Sequence, residues 1–577
     1  MNLRMKHAVA WIALVALAAC SGPSASPGLP ASSSSYANAL RGHARVGLLR
    51  EFVGVGDSLT AGYQAGGFLG QANVKNPLAP GTLVRPGQEN GYWADVDEAI
   101  SGLPISDAIA YEYTPSISPL PLIAGPGLNN QLVPSTTGTA PIGQLKSGDA
   151  CTADNGFNAK GYLLSGNAVT RIDPSDSSIR DFGVPGITLH EANVLFAPQT
   201  NTCEPLPGVP GLLSAVTAGE SSVFWPVLGN FAGMHSNLSE VKAAASLHPT
   251  LATVWLGAND VLKYMGSGGR FVGGDQSAAQ VQTDLVKSIN TLRYAGAKVV
   301  VADLPSVLRA PYFMRVDVNP PARACKIQTY VFCLLVSLGF PPTAPPSNPA
   351  NATYITNAIA QAYGLATPGG CDAGSTTKPC GYVVLPGALG ALAYFLTTSK
   401  LPNLDCSGTN FTPPCVKGSG LGGYYITPAF AGQIQALNNA VNTGIHQSAQ
   451  QTNVPLVPIL QIFDGIASGN PNNPYFKAAT SIAPGVCCTL TYNGGFTSFD
   501  GLHPSNTGYG LVANAFIDTI NAAYGQKIPQ ADVVAIYKGT RCSNKKLCFP
   551  DYYAPPYNGQ QIVRAHVIER LRELHLR

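Results

Sequence analysis

Residues 50–64 read REFVGVGDSLTAGYQ, a stretch in which a short apolar run ends at an acid and a serine. The apolar, glycine-spaced part predicts a buried strand over residues 52–56. A polar pair directly after a strand lies at the carboxyl edge of the sheet, where open α/β folds bind their ligands. Asp57 and Ser58 therefore mark a candidate site, in which Ser58 is either a nucleophile or the N-cap of the next helix.

Strand and helix patterns alternate along the chain. Short apolar runs predict strands at residues 52–56, 179–184, 251–257, 298–303 and 454–459. Apolar residues at helical spacing predict helices at 90–100, 275–294, 428–450 and 506–524. This alternation predicts an α/β fold, namely a three-layer α/β/α sandwich with a central parallel sheet.

Composition limits the classes of function. Charged residues make up only 11% of the 577 residues and the formal net charge is +3, which argues against a nucleic-acid-binding protein. The 62 glycines and 47 prolines indicate many turns and long loops around a scaffold.

The N-terminus has the pattern of an export signal. Arg4 and Lys6 precede an apolar run at residues 8–19 that is too short to span a bilayer. The run ends in Leu-Ala-Ala-Cys, which resembles the bacterial lipobox and implies acylation of Cys20; the alternative is an ordinary secretory signal. We predict a signal peptide over residues 1–19, a flexible tether over 20–49, and export to the cell envelope with a lipid anchor in the membrane. Ser21, which follows the acylated cysteine, is not the aspartate that retains lipoproteins in the inner membrane, so the outer membrane is favoured if the source has one.

The cysteine pattern agrees with an oxidising compartment. Apart from Cys20 there are twelve cysteines, and most fall in close pairs that suit local disulfides. The predicted pairs are Cys325/Cys333, Cys371/Cys380, Cys406/Cys415 and Cys542/Cys548. Cys151 and Cys203 are left as a longer-range pair, and Cys487 and Cys488 form either a vicinal disulfide or bonds to other partners. No Cys-x-x-Cys pair or matching histidine cluster predicts a metal site.

Four polar blocks follow predicted strands or precede the last helix. They are Gly56-Asp57-Ser58-Leu59, Gly183-Val184-Pro185-Gly186, Gly257-Ala258-Asn259-Asp260 and Asp500-Gly501-Leu502-His503. Each block alone reads as a turn or a helix cap. In the last one, the spacing lets Asp500 accept a hydrogen bond from one ring nitrogen of His503 while the other nitrogen acts as a base.

The order of these blocks resembles the four signature blocks of the GDSL, or SGNH, hydrolase family. The resemblance implies the flavodoxin-like sandwich of that family. It also implies that Ser58 is the nucleophile, His503 the general base and Asp500 the carboxylate that orients it. The backbone N–H groups of Ser58 and Gly186 and the amide of Asn259 would form the oxyanion hole. Asp57 and Asp260 are interpreted as supports of the loops that carry Ser58 and Asn259, and no cofactor or metal is required.

The chain is much longer than a compact domain of about 200 residues. We predict a hydrolase domain over residues 50–526 that contains two disulfide-stapled insertions, at about 102–176 and 305–423. The apolar run at 385–396 is either an acyl pocket or lid, or core of the insertion. Residues 527–577 form an extension, in which 562–576 predict a basic amphipathic helix that either contacts a membrane surface or docks on the body.

The predicted function is therefore a serine esterase or lipase that hydrolyses a carboxylic ester, the ester substrate being a lipid or an acylated sugar. One alternative is a carbohydrate esterase that removes acetyl groups from a polysaccharide, because the same site serves both reactions. The other is a non-catalytic surface-binding protein that keeps the fold. The acyl chain, the alcohol and the oligomeric state do not follow from the sequence.

Overall fold

A computed structural model describes the parts of the chain that carry the sheet and its helices. The described residues are 47–64, 69–71, 83–102, 120, 123–124, 162–164, 167–171, 179–194, 227–228, 238–266, 269, 274–317, 325, 330–337, 341–343, 351–367, 371–372, 374–384, 425–484, 487–491, 495–498 and 501–540.

Four parallel strands form the central sheet. They are β1 (Phe52–Gly56), β7 (Leu251–Trp255), β8 (Lys298–Ala302) and β12 (Leu456–Val457), and they lie in the order β1-β7-β8-β12. All residues of β1 and β7 are buried, as are the last four of β8, which is typical of parallel strands covered on both faces. The structure is therefore mixed α/β with an all-parallel central sheet, as the alternation in the sequence predicted.

Residues 179–184 run parallel to the free edge of β1. The N–H of Gly54 donates to the carbonyl of Arg180, and the N–H of Phe182 donates back to the carbonyl of Gly54, each at 2.9 Å. The N–H of Gly56 would continue this ladder, but it donates to Oε1 of Glu240 instead. The predicted strand is thus present as a single bridge and a few ladder bonds rather than as a regular strand.

Helices precede and follow these strands along the chain. They are α1 (Tyr92–Ser101), α2 (Leu189–Val194), α3 (Glu240–Ser246), α4 (Ala258–Gly266), α5 (Ala278–Tyr294), α6 (Val331–Ser337), α7 (Ala352–Ala362), α8 (Pro428–Thr452), α9 (Ile459–Ala467), α10 (Pro474–Ser481), α11 (Asn506–Tyr524) and α12 (Val533–Lys538). Helices α5 and α8 pack along each other, and α11 packs along α1. None of the described helices is long and apolar enough to cross a membrane.

Aromatic side chains join α1 and α11 to the sheet. Trp93 in α1 stacks on Phe52 in β1, with ring centroids 5.1 Å apart, and Tyr92 stacks on Phe516 in α11 at 4.4 Å. A Cβ atom on Gly54 would lie 2.3 Å from the Trp93 ring, so only glycine allows this close approach. The glycine spacing of β1 therefore makes room for the tryptophan.

The predicted strands and helices differ from the observed ones mainly in the residues at which they begin and end. Strand β1 and helix α11 have the predicted bounds, and α8 continues two residues further than predicted. Strand β12 is reduced to two residues because Pro455 and Pro458 flank it, and proline has no N–H for the ladder. Helix α5 begins at Ala278 rather than Asp275 because Ser277 caps it, accepting from the N–H of Gln280.

Short antiparallel sheets lie outside the central sheet. Strands β2 (Leu69–Gln71) and β3 (Leu83–Pro86) pair, β6 (Asn167–Arg171) pairs with β4 (Ile123–Ala124) and β5 (Tyr162–Leu164), and β10 (Tyr382–Val384) pairs with β9 (Phe313–Arg315) and β11 (Tyr425–Ile426). Three β-strands, β4, β5 and β6, thus fall in the predicted insertion at 102–176, and β9 and β10 fall in the one at 305–423.

Three disulfides join described cysteines. The predicted pairs Cys325–Cys333 and Cys371–Cys380 are present, and Cys487 bonds to its neighbour Cys488, which selects the vicinal alternative. Several predictions fall outside the described residues: Cys20 with the signal and residues 20–46 of the tether, the pairs Cys151/Cys203, Cys406/Cys415 and Cys542/Cys548, the run at 385–396 and the helix at 562–576. Those stay predictions.

Candidate active site

Ser58 lies at the carboxyl end of β1, in the first turn after the strand. The carbonyl of Asp57 accepts from the N–H groups of Thr60 and Ala61, at 3.1 and 3.0 Å, and the carbonyl of Ser58 accepts from Tyr63 at 2.9 Å. The Ser58 side chain is part-exposed, whereas Asp57 beside it is buried. A substrate can therefore reach the serine hydroxyl.

The imidazole of His503 contacts the serine hydroxyl. Nε2 of His503 lies 2.8 Å from Oγ of Ser58, the distance of a hydrogen bond. Within the described part of the chain, Oγ bonds to this ring rather than to a backbone N–H of its own turn. The N-cap alternative for Ser58 is therefore disfavoured, and a base stands next to a candidate nucleophile.

The loop that carries His503 is held by its own backbone. The N–H of Ser498 donates to the carbonyl of His503 at 2.7 Å, and that of Ser505 donates to Phe496 at 2.9 Å. Ser505 then caps α11 by accepting from the N–H of Gly508 at 3.1 Å. The imidazole is thus placed by a tight loop that ends directly in a helix cap.

Tyr63 supports the imidazole from the side of the serine loop. Its ring centroid lies 4.7 Å from that of His503, with the planes tilted by 58°. The carbonyl of Tyr63 accepts a 2.6 Å hydrogen bond from the hydroxyl of Tyr509 in α11. Tyr63 stands in the quoted stretch at residues 50–64, but its sequence position gives no sign of this contact.

Asp500 lies outside the described residues, so its predicted role as the orienting carboxylate stays a prediction. The neighbouring Gly501 has a φ of +71°, and its carbonyl accepts from the N–H of Tyr312 at 2.8 Å. A Cβ atom on Gly501 would lie 2.9 Å from that nitrogen. The histidine loop therefore rests on the first part of the insertion at 305–423.

Gly186 lies in a turn beside the serine loop. Its φ is +83°, a conformation that favours glycine, and the space where a Cβ atom would lie is open. The preceding Gly183 brings the two loops together, because a Cβ atom there would be 2.2 Å from the backbone nitrogen of Ala61. The second block is thus packed directly against the first.

The first and second blocks each contain a backbone N–H group without an acceptor among the described residues. They belong to Ser58 and Gly186, neither of which lies in a regular helix or strand. Both residues are half-buried, so a bound group can reach them. Donors of this kind are what an oxyanion hole requires.

Asn259 is the second residue of α4, and its side chain is buried. Nδ2 donates to the carbonyl of Ile187 at 3.0 Å and to Oδ2 of Asp57 at 3.3 Å. The amide thereby joins the third block to the first and to Ile187, the residue that follows the second block. For Asn259 to donate to an oxyanion, the longer bond to Asp57 has to be shared or replaced.

Asp57 connects the serine loop to Asn259. Its Oδ1 accepts from the N–H of Leu59 at 2.9 Å, and its Oδ2 accepts from Asn259. Burial raises the pKa of the Asp57 carboxyl to about 7, against the lowering effects of the Leu59 N–H and the charge of His503. The proposed role of Asp57 as a support of the serine loop agrees with these bonds.

Asp260 holds a different loop from the one predicted. Its carboxylate accepts from the N–H of Leu189 at 3.0 Å and from that of Asp275 at 2.7 Å. It therefore ties the segment after Gly186 to the segment before α5, rather than supporting the turn of Asn259 itself. Its position after Asn259 in the sequence could not reveal that.

Glu240 is a residue of this region that sequence analysis missed. Its Oε1 accepts the N–H of Gly56, directly before Asp57 and Ser58, and burial raises the pKa of the Glu240 carboxyl well above its usual range. Nothing in the pattern around residue 240 indicates a partner in β1. Such a contact depends on how α3 packs against the sheet.

Comparison of the chain with protein-family models, with characterised proteins and with solved structures finds no match. The geometry of the described residues is therefore the basis for any functional conclusion.

Proposed function

We propose that this chain is a serine hydrolase that cleaves carboxylic esters, of the GDSL or SGNH type that its four blocks resemble. The observation that carries the proposal is the 2.8 Å contact between Oγ of Ser58 and Nε2 of His503 at the carboxyl end of β1. A nucleophile, a base in hydrogen-bond reach and unpaired N–H donors beside them are the groups that acyl transfer requires.

Each group has a defined role in the proposed reaction. His503 takes the proton of Ser58 as Oγ forms a bond to the ester carbonyl carbon. The N–H groups of Ser58 and Gly186, with the amide of Asn259, stabilise the negative oxygen of the tetrahedral intermediate. The alcohol leaves with the proton from His503, and an acyl-enzyme remains on Ser58.

Hydrolysis of the acyl-enzyme uses the same groups. A water molecule gives a proton to His503 and attacks the acyl carbonyl, and the acid departs as Ser58 recovers its proton. Asp500 is proposed to accept from the second ring nitrogen of His503 and to fix its tautomer. Two of the three donors, the N–H groups of Ser58 and Gly186, lie on the protein backbone and need no reorganisation during either step.

The proposed fold is the flavodoxin-like three-layer sandwich. Supporting it, the segment at 179–184 lies beside β1, and β7, β8 and β12 follow on the other side, which gives the order 2-1-3-4-5 in sequence terms. Ser58, Gly186 and Asn259 all follow members of this sheet. Ligands of such folds bind at that carboxyl edge.

The proposed location is the cell envelope, with a lipid anchor on Cys20 and a tether over residues 20–49. The lipobox-like residues before Cys20 support it. Metabolic labelling with a fatty-acid probe tests it: the wild type should carry the label, and Cys20→Ser should be unlabelled and released from the membrane fraction. A labelled Cys20→Ser variant would contradict the proposal.

A series of chromogenic esters from acetyl to palmitoyl tests the proposed reaction. Mature protein without Cys20 should hydrolyse at least one member, and Ser58→Ala should not. Preference for long chains indicates a lipase, and preference for acetyl favours the carbohydrate esterase. Equal turnover by Ser58→Ala would overturn the assignment of the nucleophile.

A further inference from the structure

Three metal-binding side chains cluster away from the serine and histidine. They are His190 in α2, Asp275 before α5, and Asp284 within α5, and one ligand atom of each lies within 4.8 Å of those of the other two. Nδ1 of His190 is 2.7 Å from Oδ2 of Asp284. Sequence analysis predicted no metal site, because the three residues are far apart in the chain.

Asp275 has a free coordination atom in this cluster. The residue is 4% exposed, and its Oδ2 is buried without a hydrogen-bond donor among the described residues, since the Asp284 carboxylate beside it is an acceptor too. A buried carboxylate oxygen without a donor is costly, because water can no longer solvate it. This observation is independent of the clustering and points to a missing ligand.

The charge around Asp275 is also unbalanced. Asp275 and Asp284 bring two carboxylates within 4.8 Å of each other, and the imidazole of His190 lies beside them. Lys263 in α4 is bound to Glu191, the residue after His190, at 2.8 and 2.9 Å. A cation bound between the carboxylates would supply the charge that this place lacks.

We propose that His190, Asp275 and Asp284 bind one divalent cation, of the class that accepts both imidazole nitrogen and carboxylate oxygen, with Zn²⁺ as the best match. Zn²⁺ takes histidine nitrogen and aspartate oxygen at about 2.0–2.2 Å, and water can fill a fourth position. The side chain of His190 is 49% exposed, which leaves a path for the ion and that water.

Binding requires a small movement. Two ligands of a tetrahedral ion with bonds of about 2.05 Å lie about 3.3 Å apart. Nδ1 of His190 and Oδ2 of Asp284 therefore separate slightly from their 2.7 Å contact, and the proton between them leaves. Residue 190 is half-exposed, so the imidazole can make this adjustment.

The cation would fix the segment after Gly186. Asp260 already accepts hydrogen bonds from the N–H groups of Leu189 and Asp275. Leu189 precedes the proposed ligand His190, and Asp275 is itself a proposed ligand. Asn193 adds a second link, since its Nδ2 donates to the carbonyls of Leu189 and Asp284, each at 3.1 Å. A metal here therefore stabilises α2 against α5, and it takes no part in acyl transfer.

Calorimetric titration of the full mature protein, untagged and stripped with EDTA, with ZnCl₂ tests the site. We expect binding near one equivalent and a higher melting temperature with Zn²⁺, because a ligand of the folded state stabilises it. His190→Ala and Asp275→Asn should each weaken Zn²⁺ binding at least tenfold. The readout is binding and stability, so it holds whether or not the chain is an esterase.

His446→Ala is the matched control. His446 also pairs with a buried carboxylate, since its Nε2 lies 3.0 Å from Oδ2 of Asp303, and its side chain is 45% exposed. No third ligand among the described residues joins that pair. Zn²⁺ binding should be unchanged in this variant.

Two results would overturn the proposal. One is no Zn²⁺ binding or stabilisation in the wild type, which would leave His190 and Asp284 as a hydrogen-bonded pair without a metal. The other is Zn²⁺ binding by His190→Ala that equals the wild type, which would place the ion elsewhere. His190 is on the surface, so that variant is expected to fold even if Asp275→Asn does not.

Discussion

Nε2 of His503 and Oγ of Ser58 lie 2.8 Å apart although 445 positions separate the two residues in the chain. The central sheet accounts for this meeting. Ser58 follows β1, and the histidine loop closes on it just before α11, which packs against α1 on the same part of the sheet. The contact is the geometric basis of the proposed chemistry.

Loss of the base should disable the nucleophile. We expect His503→Ala to lower kcat/KM for the best chromogenic ester at least about 10³-fold, because Ser58 then has no proton acceptor. Ser58→Ala should be as severe, and the double variant no worse than either, since the two residues act as a unit. Steady-state kinetics measure this, with circular dichroism as the control for folding. Additive losses would contradict a shared role.

Asp57→Asn should impair the oxyanion site through Asn259. The new amide has one oxygen, so its NH₂ group must face either the N–H of Leu59 or the NH₂ of Asn259, and a buried donor loses its acceptor. That costs about 1–3 kcal/mol of folding free energy. We expect kcat to fall about tenfold or more with KM little changed, because Asn259 acts in the transition state. A kcat equal to that of the wild type in this variant would show that Asp57 does not support the oxyanion site.

Gly186→Ala should separate strain from function. An alanine at a φ of +83° costs about 1–2 kcal/mol of folding free energy. Gly525→Ala is the control, since Gly525 has a φ of +63° and equally open space but ends α11. Chemical denaturation should show similar losses in both variants. Only Gly186→Ala should lower kcat, by about tenfold or more, because its N–H is proposed to face the oxyanion. Equal kcat in the two variants would argue against that donor.

Asp181→Asn should change how stability depends on pH. Burial, with the charge of Asp97 adding to it, raises the pKa of the Asp181 carboxyl from 3.8 to about 8 in the folded state. Between those values the unfolded chain has lost the proton while the folded protein keeps it. The contribution of Asp181 to the free energy of unfolding therefore falls as pH rises from about 4 to about 8.

Asparagine does not ionise, and its oxygen can still accept from the N–H of Gly183, which Asp181 binds at 2.9 Å. The free energy of unfolding of the variant minus that of the wild type should be larger at pH 8 than at pH 5, by at least about 1 kcal/mol. Urea denaturation at the two pH values measures this. An equal difference at both would show that Asp181 is ionised in the folded protein.

The sequence predicts the framework well because its apolar periods are local. The run that forms β1 and the pattern that forms α11 coincide with the observed bounds. The structure of the segment at 179–184 is harder to predict, because its ladder with β1 is interrupted where Glu240 accepts the hydrogen bond of the Gly56 N–H. A side chain from a distant helix cannot be read from the residues of the strand.

The candidate site is also predictable only in part from the sequence. The order of the four polar blocks, through the family resemblance that it carries, singles out Ser58 and His503. It does not show that Asn259 donates to Asp57, 202 positions away, or that Tyr63 packs on His503. Those contacts depend on side-chain orientation across the sheet, for which local pattern carries no information.

Covalent labelling with a fluorophosphonate tests the central claim most directly, because the reagent reacts preferentially with an activated serine. The account predicts one equivalent of label on the peptide that contains Ser58, loss of ester hydrolysis in proportion to labelling, and no label in Ser58→Ala or His503→Ala. Folded wild-type protein that takes no label, or carries it on another serine, would contradict the account.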